Sequence, residues 1–185
     1  MWKVFAFLSL AFISTIYAQD GPAGSSLSDR GHGAVAFSVG LSQTMHIMNA
    51  ETVLFNKVFS NLGSAYSDHT GIFKCPHSGM YVFHLHAYDM NKDKAMWLEL
   101  KKNNELLVSI SGYDSHSTAG NTVLVHLNRG DTVYVKARQG QEFSLFGRQD
   151  EIYATFTGYK VSDANYLSAP SPDQDPFAFL QGRRR

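Results

Sequence analysis

From residue 34 onward, apolar and polar positions alternate along the chain, and clusters of turn-forming residues interrupt the alternation at roughly the ten-residue spacing usual for sheet proteins. A period of two is that of β-strands, whose successive side chains face opposite ways. It predicts ten strands, at 34–39, 52–59, 71–75, 80–88, 95–101, 106–111, 121–127, 132–137, 142–146 and 153–161, and no helix. Between them lie Asn91-Lys92-Asp93, Asn103-Asn104, Asn128-Arg129-Gly130-Asp131 and Gln139-Gly140, residue types that tolerate turn dihedrals or bond to their own backbone. No proline interrupts a predicted strand, and Pro76 falls directly behind one. The expected fold class is an all-β sandwich.

Two of these strands are apolar or weakly polar on both faces: Met80-Tyr81-Val82-Phe83-His84-Leu85 and Thr122-Val123-Leu124-Val125-His126-Leu127. One face would pack into the sandwich. The other calls for a neighbouring subunit, because a monomer exposing so much Tyr, Val and Leu would aggregate. The expected partner is a second copy of the chain.

The two ends read differently. In residues 1–18, Lys3 precedes an apolar run broken by Ser9 and Ser14 and closing on small Ala18, the pattern of a cleaved secretory signal peptide. Residues 19–33 are rich in Gly, Ser and Asp and form a flexible leader; Gly21-Pro22-Ala23-Gly24 holds one collagen-like triplet, which is not sustained. Residues 34–161 form one globular domain. Residues 162–185 form a disordered tail with Pro170, Pro172 and Pro176, an apolar patch Phe177-Ala178-Phe179-Leu180, and a terminal run Arg183-Arg184-Arg185. No run after the signal peptide is long and apolar enough to span a bilayer, so the expected product is secreted, extracellular and not inserted in a membrane.

Charge and cysteine usage narrow the function. The chain has 16 basic and 16 acidic residues, so no net field draws it to nucleic acid. Cys75 is the sole cysteine, which excludes an intrachain disulfide framework despite the oxidising destination. Among apolar neighbours it should be an inert thiol with a raised pKa; an intersubunit disulfide is the alternative. No Asn-x-Ser/Thr triplet offers a glycosylation site.

The segment 55–88 carries the most information. Phe55 is followed after five residues by Asn61, after four by Tyr66, after six by Phe73 and after five by Gly79, with Tyr81 and Phe83 on alternate positions beyond. This spacing resembles the signature of the globular C1q domain, and Ala154-Thr155-Phe156-Thr157-Gly158-Tyr159 is similar to that family's closing strand. Leu85 stands where the family usually has an aromatic residue, a change that repacks an apolar slot without emptying it. The resemblance covers residues 34–161. It implies a ten-stranded jelly roll related to tumour necrosis factor, assembled as a homotrimer that presents variable loops to ligands. Short secreted members without a collagen stalk are similar to invertebrate C1q-domain proteins, above all those of bivalve molluscs, where innate immunity and shell matrix are both familiar settings.

Loops on a rigid sandwich usually carry function, which singles out Tyr113, Asp114 and His116 in one loop and Asn91, Lys92 and Asp93 in another as ligand-binding candidates. The resemblance adds calcium as a possible cofactor, with Asp114 as the carboxylate that three subunits could bring together. His84 and His86 share a strand face and could begin a metal site, although two ligands do not complete one. No nucleophile elbow, phosphate loop, HExxH helix or Cys-x-x-Cys pair is present, so the chain is not expected to be an enzyme. The expected function is lectin-like binding of glycans or microbial surface patterns. The alternatives are association with extracellular or shell matrix proteins and a cytokine-like receptor ligand.

Overall fold

The computed structural model describes residues 34–114 and 116–164. The signal peptide, the leader and residues 165–185 of the tail lie outside them. Twelve strands form among the described residues: β1 (Ala36–Gly40), β2 (Met45–Met48), β3 (Lys57–Leu62), β4 (Tyr66–Ser67), β5 (Ile72–Lys74), β6 (Gly79–Tyr88), β7 (Met96–Lys102), β8 (Glu105–Gly112), β9 (Thr118–Leu127), β10 (Thr132–Ala137), β11 (Glu142–Leu145) and β12 (Thr155–Asp163). One five-stranded sheet runs in the order β3-β1-β12-β6-β9, a second in the order β4-β5-β10-β7-β8, and β2 pairs with β11. The chain is an all-β sandwich.

Each predicted strand has a counterpart within a few residues except 52–59, where one apolar run serves two sheets. Val53 N–H donates to the Val135 carbonyl at 2.8 Å and Ala137 N–H to the Glu51 carbonyl at 2.9 Å, so this stretch lies along β10. The continuation, β3, pairs with β1 in the other sheet. The chain thus crosses the sandwich between Val53 and Lys57, with Val53 and Phe55 buried on the way. Two strands were not expected. β2 buries only Ile47 fully, and β4 is two residues long, so neither leaves a readable alternation. The predicted turn at Asn103-Asn104 joins β7 to β8, and Asn103 takes the left-handed φ of 53° that a tight hairpin asks of its loop.

The two sheets enclose a core of aromatic rings. Phe156 on β12 lies 4.9 Å from Phe37 in an edge-on contact, 5.9 Å from Phe55 and 5.9 Å from Phe83, while Phe37 stacks on Tyr66 at 5.0 Å and on Phe73 at 5.3 Å. Edge-on and offset contacts of this kind add to the burial of large apolar surface. Phe73, Cys75, Tyr81, Phe83 and Leu85 all point into this interior, as their spacing predicts. Gly158 is the one place where the rings leave no room: a Cβ there would meet Phe37 Cε1 at 2.5 Å and Phe83 Cδ1 at 2.6 Å.

The outer faces of the two large sheets differ in charge. On the second, Glu99 and Lys101 of β7 alternate with buried Leu98 and Leu100 and pair across to Lys136 and Tyr134 of β10. On the first, the outward positions of β1, β12, β6 and β9 are Ala36, Ser38, Gly40, Thr155, Thr157, Tyr159, Met80, Val82, His84, His86, Tyr88, Thr118, Gly120, Thr122, Leu124 and His126. None is Asp, Glu, Lys or Arg, and Leu124 is 57% exposed. Among the described residues, no helix is long and apolar enough to cross a membrane.

Candidate ligand-binding site

β6 ends at Tyr88 and β9 begins at Thr118, so the β6–β7 and β8–β9 loops emerge at the same end of the sandwich. They are tied together there: Asp89 N–H donates to the Ser117 carbonyl at 3.1 Å. The structure therefore brings both groups of sequence-predicted residues, Tyr113, Asp114 and His116 and also Asn91, Lys92 and Asp93, to one end.

Their roles diverge. The Asn91 side chain donates to the Ser144 carbonyl and accepts from Ser144 N–H, both at 3.0 Å, so its amide is spent fastening the β6–β7 loop to β11. Lys92 and Asp93 are exposed beside it. In the other loop, Ser117 Oγ accepts from Asp114 N–H at 3.1 Å and donates to the Asp114 carbonyl, closing a compact turn and leaving the Asp114 carboxylate in solvent. His116 sits at a left-handed φ of 64°, and its Nδ1 meets the Tyr88 hydroxyl at 2.7 Å.

Aromatic groups that sequence reasoning did not single out stand on both sides of this loop. Tyr113 is 67% exposed and stands edge-on to Trp97 of β7 at 6.3 Å, and the Arg138 guanidinium lies 4.0 Å above the Trp97 ring. Cation–π contact of this kind fixes the indole plane and keeps a positive charge over one of its faces. On the other side Tyr88, Phe146 and Tyr153 pack together with centroids 5.0 to 5.7 Å apart. These residues come from positions 88, 97, 113, 138, 146 and 153, and no local pattern connects them.

Below the loops, Asp89 is fully buried, and both its carboxylate oxygens lack a hydrogen-bond partner. Burial raises its pKa, against the opposing pull of the backbone N–H groups of Asn91, Ser117 and Met96, which lie near but outside bonding geometry.

The other candidate sites resolve as follows. No group of three His, Cys, Asp or Glu side chains gathers among the described residues, and the Asp114 carboxylate stands exposed. His84 Nδ1 bonds Thr122 Oγ1 at 2.9 Å and its ring stacks on Tyr159, while the His86 ring lies over Gly120. The two imidazoles face the same way, and among the described residues no third ligand joins them. Cys75 is buried, donates to the His77 carbonyl at 3.2 Å, and has its pKa raised by burial.

A family model described as the C1q domain matches residues 36–161. The chain is 30% identical over 112 residues to Caprin-2 of Danio rerio and 31% identical over 134 residues to Complement C1q tumor necrosis factor-related protein 1 of Mus musculus. These alignments take in 59% and 70% of this chain but only 12% and 47% of those proteins. Among solved structures, the globular domain of the zebrafish complement 1qA protein superposes with a TM-score of 0.58 at 24% identity, over 70% of this chain and 98% of that one. The Eiger TNF structure from S. frugiperda gives 0.60 at 14% identity, over 75% and 98%. The domain is thus an all-β sandwich of the C1q and tumour necrosis factor type, a non-catalytic module capable of binding a ligand or partner. More narrowly, the chain belongs to the C1q domain family.

Proposed function

We propose that the chain is a secreted, extracellular recognition protein that binds saccharides of microbial or other surfaces through the Tyr113 end of a threefold assembly of identical subunits. The observation that carries the ligand class is the exposed Tyr113 ring beside Trp97, with the Arg138 guanidinium and the Asp114 carboxylate close in the chain's surface. Aromatic faces stack against the C–H faces of a pyranose, and flanking charged groups bond its hydroxyls. Tyr and Trp supply such contact area at low cost in conformational entropy.

The uncharged outer face formed by β1, β12, β6 and β9 supports self-association, since the outer face of the other sheet keeps the Lys and Glu expected of a solvated surface. Three weak sites in one particle would bind a repetitive surface by avidity.

A glycan array probed with the purified protein, with and without calcium, tests this. Calcium is varied because threefold assembly would bring three copies of Asp114 together. The expected result is retention of a defined saccharide class that Tyr113→Ala and Arg138→Ala abolish. Absence of binding under both conditions overturns the saccharide assignment in favour of a protein partner in matrix or receptor.

A further inference from the structure

The opposite end of the sandwich holds a cleft of about 650 Å³ between three turns: Gly63 to Ala65 after β3, Cys75 to His77 before β6, and Arg129-Gly130 before β10. The volume lies within the range of small-ligand sites. Lys74, His77 and Arg129 line it, and no carboxylate does.

Two carboxylates near this end are committed elsewhere. Asp131 accepts from Asn128 N–H at 2.9 Å and Asn103 Nδ2 at 3.1 Å and pairs with Lys102 at 3.2 Å; these bonds outweigh burial and hold its pKa below the usual value. Asp163 pairs with Lys160. Lys74 and Arg129 are thus left with no ion-pair partner among the described residues, and both line the one cleft.

The walls are fixed in advance. Gly130 N–H donates to the Cys75 carbonyl at 2.8 Å and Cys75 N–H to the Asp131 carbonyl at 2.7 Å, joining two of the turns. Arg129 N–H donates to Ser78 Oγ at 2.9 Å, and Lys74 N–H to the Ala65 carbonyl at 2.8 Å, which brings in the third. Below them the Tyr81 hydroxyl and the Cys75 thiol both donate to the His77 carbonyl. Gly130 has open space around it at a φ of 94°, so nothing of the chain's described residues closes the entrance there.

We infer that this cleft is a second binding site, specific for an oxyanion such as a sulfate group, borne by a small saccharide or free, held by Lys74 and Arg129. A rigid polar cleft with two uncompensated cations favours a charged acceptor over a neutral one, because charge-assisted hydrogen bonds are the stronger kind and guanidinium can bind an oxyanion with two parallel N–H groups. The site lies at the far end from Tyr113 and stands apart from the saccharide proposal above.

The test is calorimetric titration of the full-length protein carrying Tyr113→Ala, which removes the saccharide site proposed above, at low ionic strength with three probes: inorganic sulfate, a sulfated disaccharide, and the same disaccharide without sulfate. Binding of the sulfated disaccharide but not of its neutral counterpart is expected, weakened at least about tenfold in a Lys74→Ala/Arg129→Ala variant. Equal binding of inorganic sulfate assigns the site to the free ion, and weaker binding of the ion assigns it to the sugar-borne group. A Lys57→Ala/Lys136→Ala variant removes the same charge from elsewhere on the surface and should bind as the parent does. Equal loss in both double variants, equal binding of the neutral disaccharide, or no binding of any sulfated probe overturns the inference.

Discussion

The hydroxyl of Tyr88, at the last position of β6, meets the imidazole Nδ1 of His116 at 2.7 Å, so the β8–β9 loop is tethered to the end of the strand that pairs with β9. The tether is exposed, and an exposed hydrogen bond contributes on the order of 1 kcal/mol or less. Tyr88→Phe keeps the ring against Phe146 and Tyr153 and removes only the bond. Global stability in urea should change by no more than that amount, while amide hydrogen exchange at residues 113–117 should speed up. Unchanged exchange in the loop would show that the Asp114–Ser117 turn holds it alone.

Asp89 makes stability depend on pH in a direction opposite to most carboxylates. Its folded pKa lies above the unfolded value of about 3.9, so the folded state loses stability as pH rises from that value through the folded pKa. Below about pH 3.9 both states hold the proton and no penalty exists. Asp89→Asn should therefore raise the urea midpoint at pH 7, with the gain shrinking as the pH is lowered toward 4. A variant less stable than the parent at pH 7 would mean that the ionised carboxylate is held by its neighbouring N–H groups.

At Gly158 a single methyl group has no space. Aromatic rings from β1 and β6 occupy its place, and neither can swing away without displacing Phe73 or Tyr81 in turn. Overpacking of this sort costs about 1–3 kcal/mol. Gly158→Ala should lower stability by that amount in chemical denaturation; an unaffected midpoint would mean that the core is looser than its ring contacts imply.

Leu124 tests the uncharged sheet face. Leu124→Asp should leave the circular dichroism spectrum of the sandwich intact, since the side chain already stands in solvent within one subunit. Sedimentation should show the parent as a threefold particle and the variant as single subunits, because an unpaired carboxylate buried at an interface is costly. A parent that sediments as one subunit removes the assembly altogether.

The sandwich was legible wherever one strand kept one face buried throughout. β6 buries every second residue over ten positions, and its alternation is plain in the sequence. The segment 52–59 reads as a single strand, yet it is split between sheets, because the pattern of apolar positions does not record which neighbour supplies the hydrogen bonds. The loop end was partly legible. Tyr113, Asp114 and His116 stand out as polar or aromatic turn residues, whereas Trp97 and Arg138 each lie next to ordinary strand positions and acquire meaning only by meeting across sequence distances of 41 and 16 residues, counted from Trp97 to Arg138 and to Tyr113. Asn91 illustrates the converse: its turn-forming character was right, and its side chain went to the scaffold.

β1 and β12 are antiparallel neighbours, with Ala36 opposite Tyr159, so the described chain enters and leaves the sandwich side by side at the end away from Tyr113. Any tether attached through either extremity, whether a natural stalk, a surface linker or a sensor-chip tag, would hold the domain by its base and leave the aromatic loop end pointing outward. Orientation on a support is therefore built into the topology, and immobilising the protein by either terminus should not mask the Tyr113 loop.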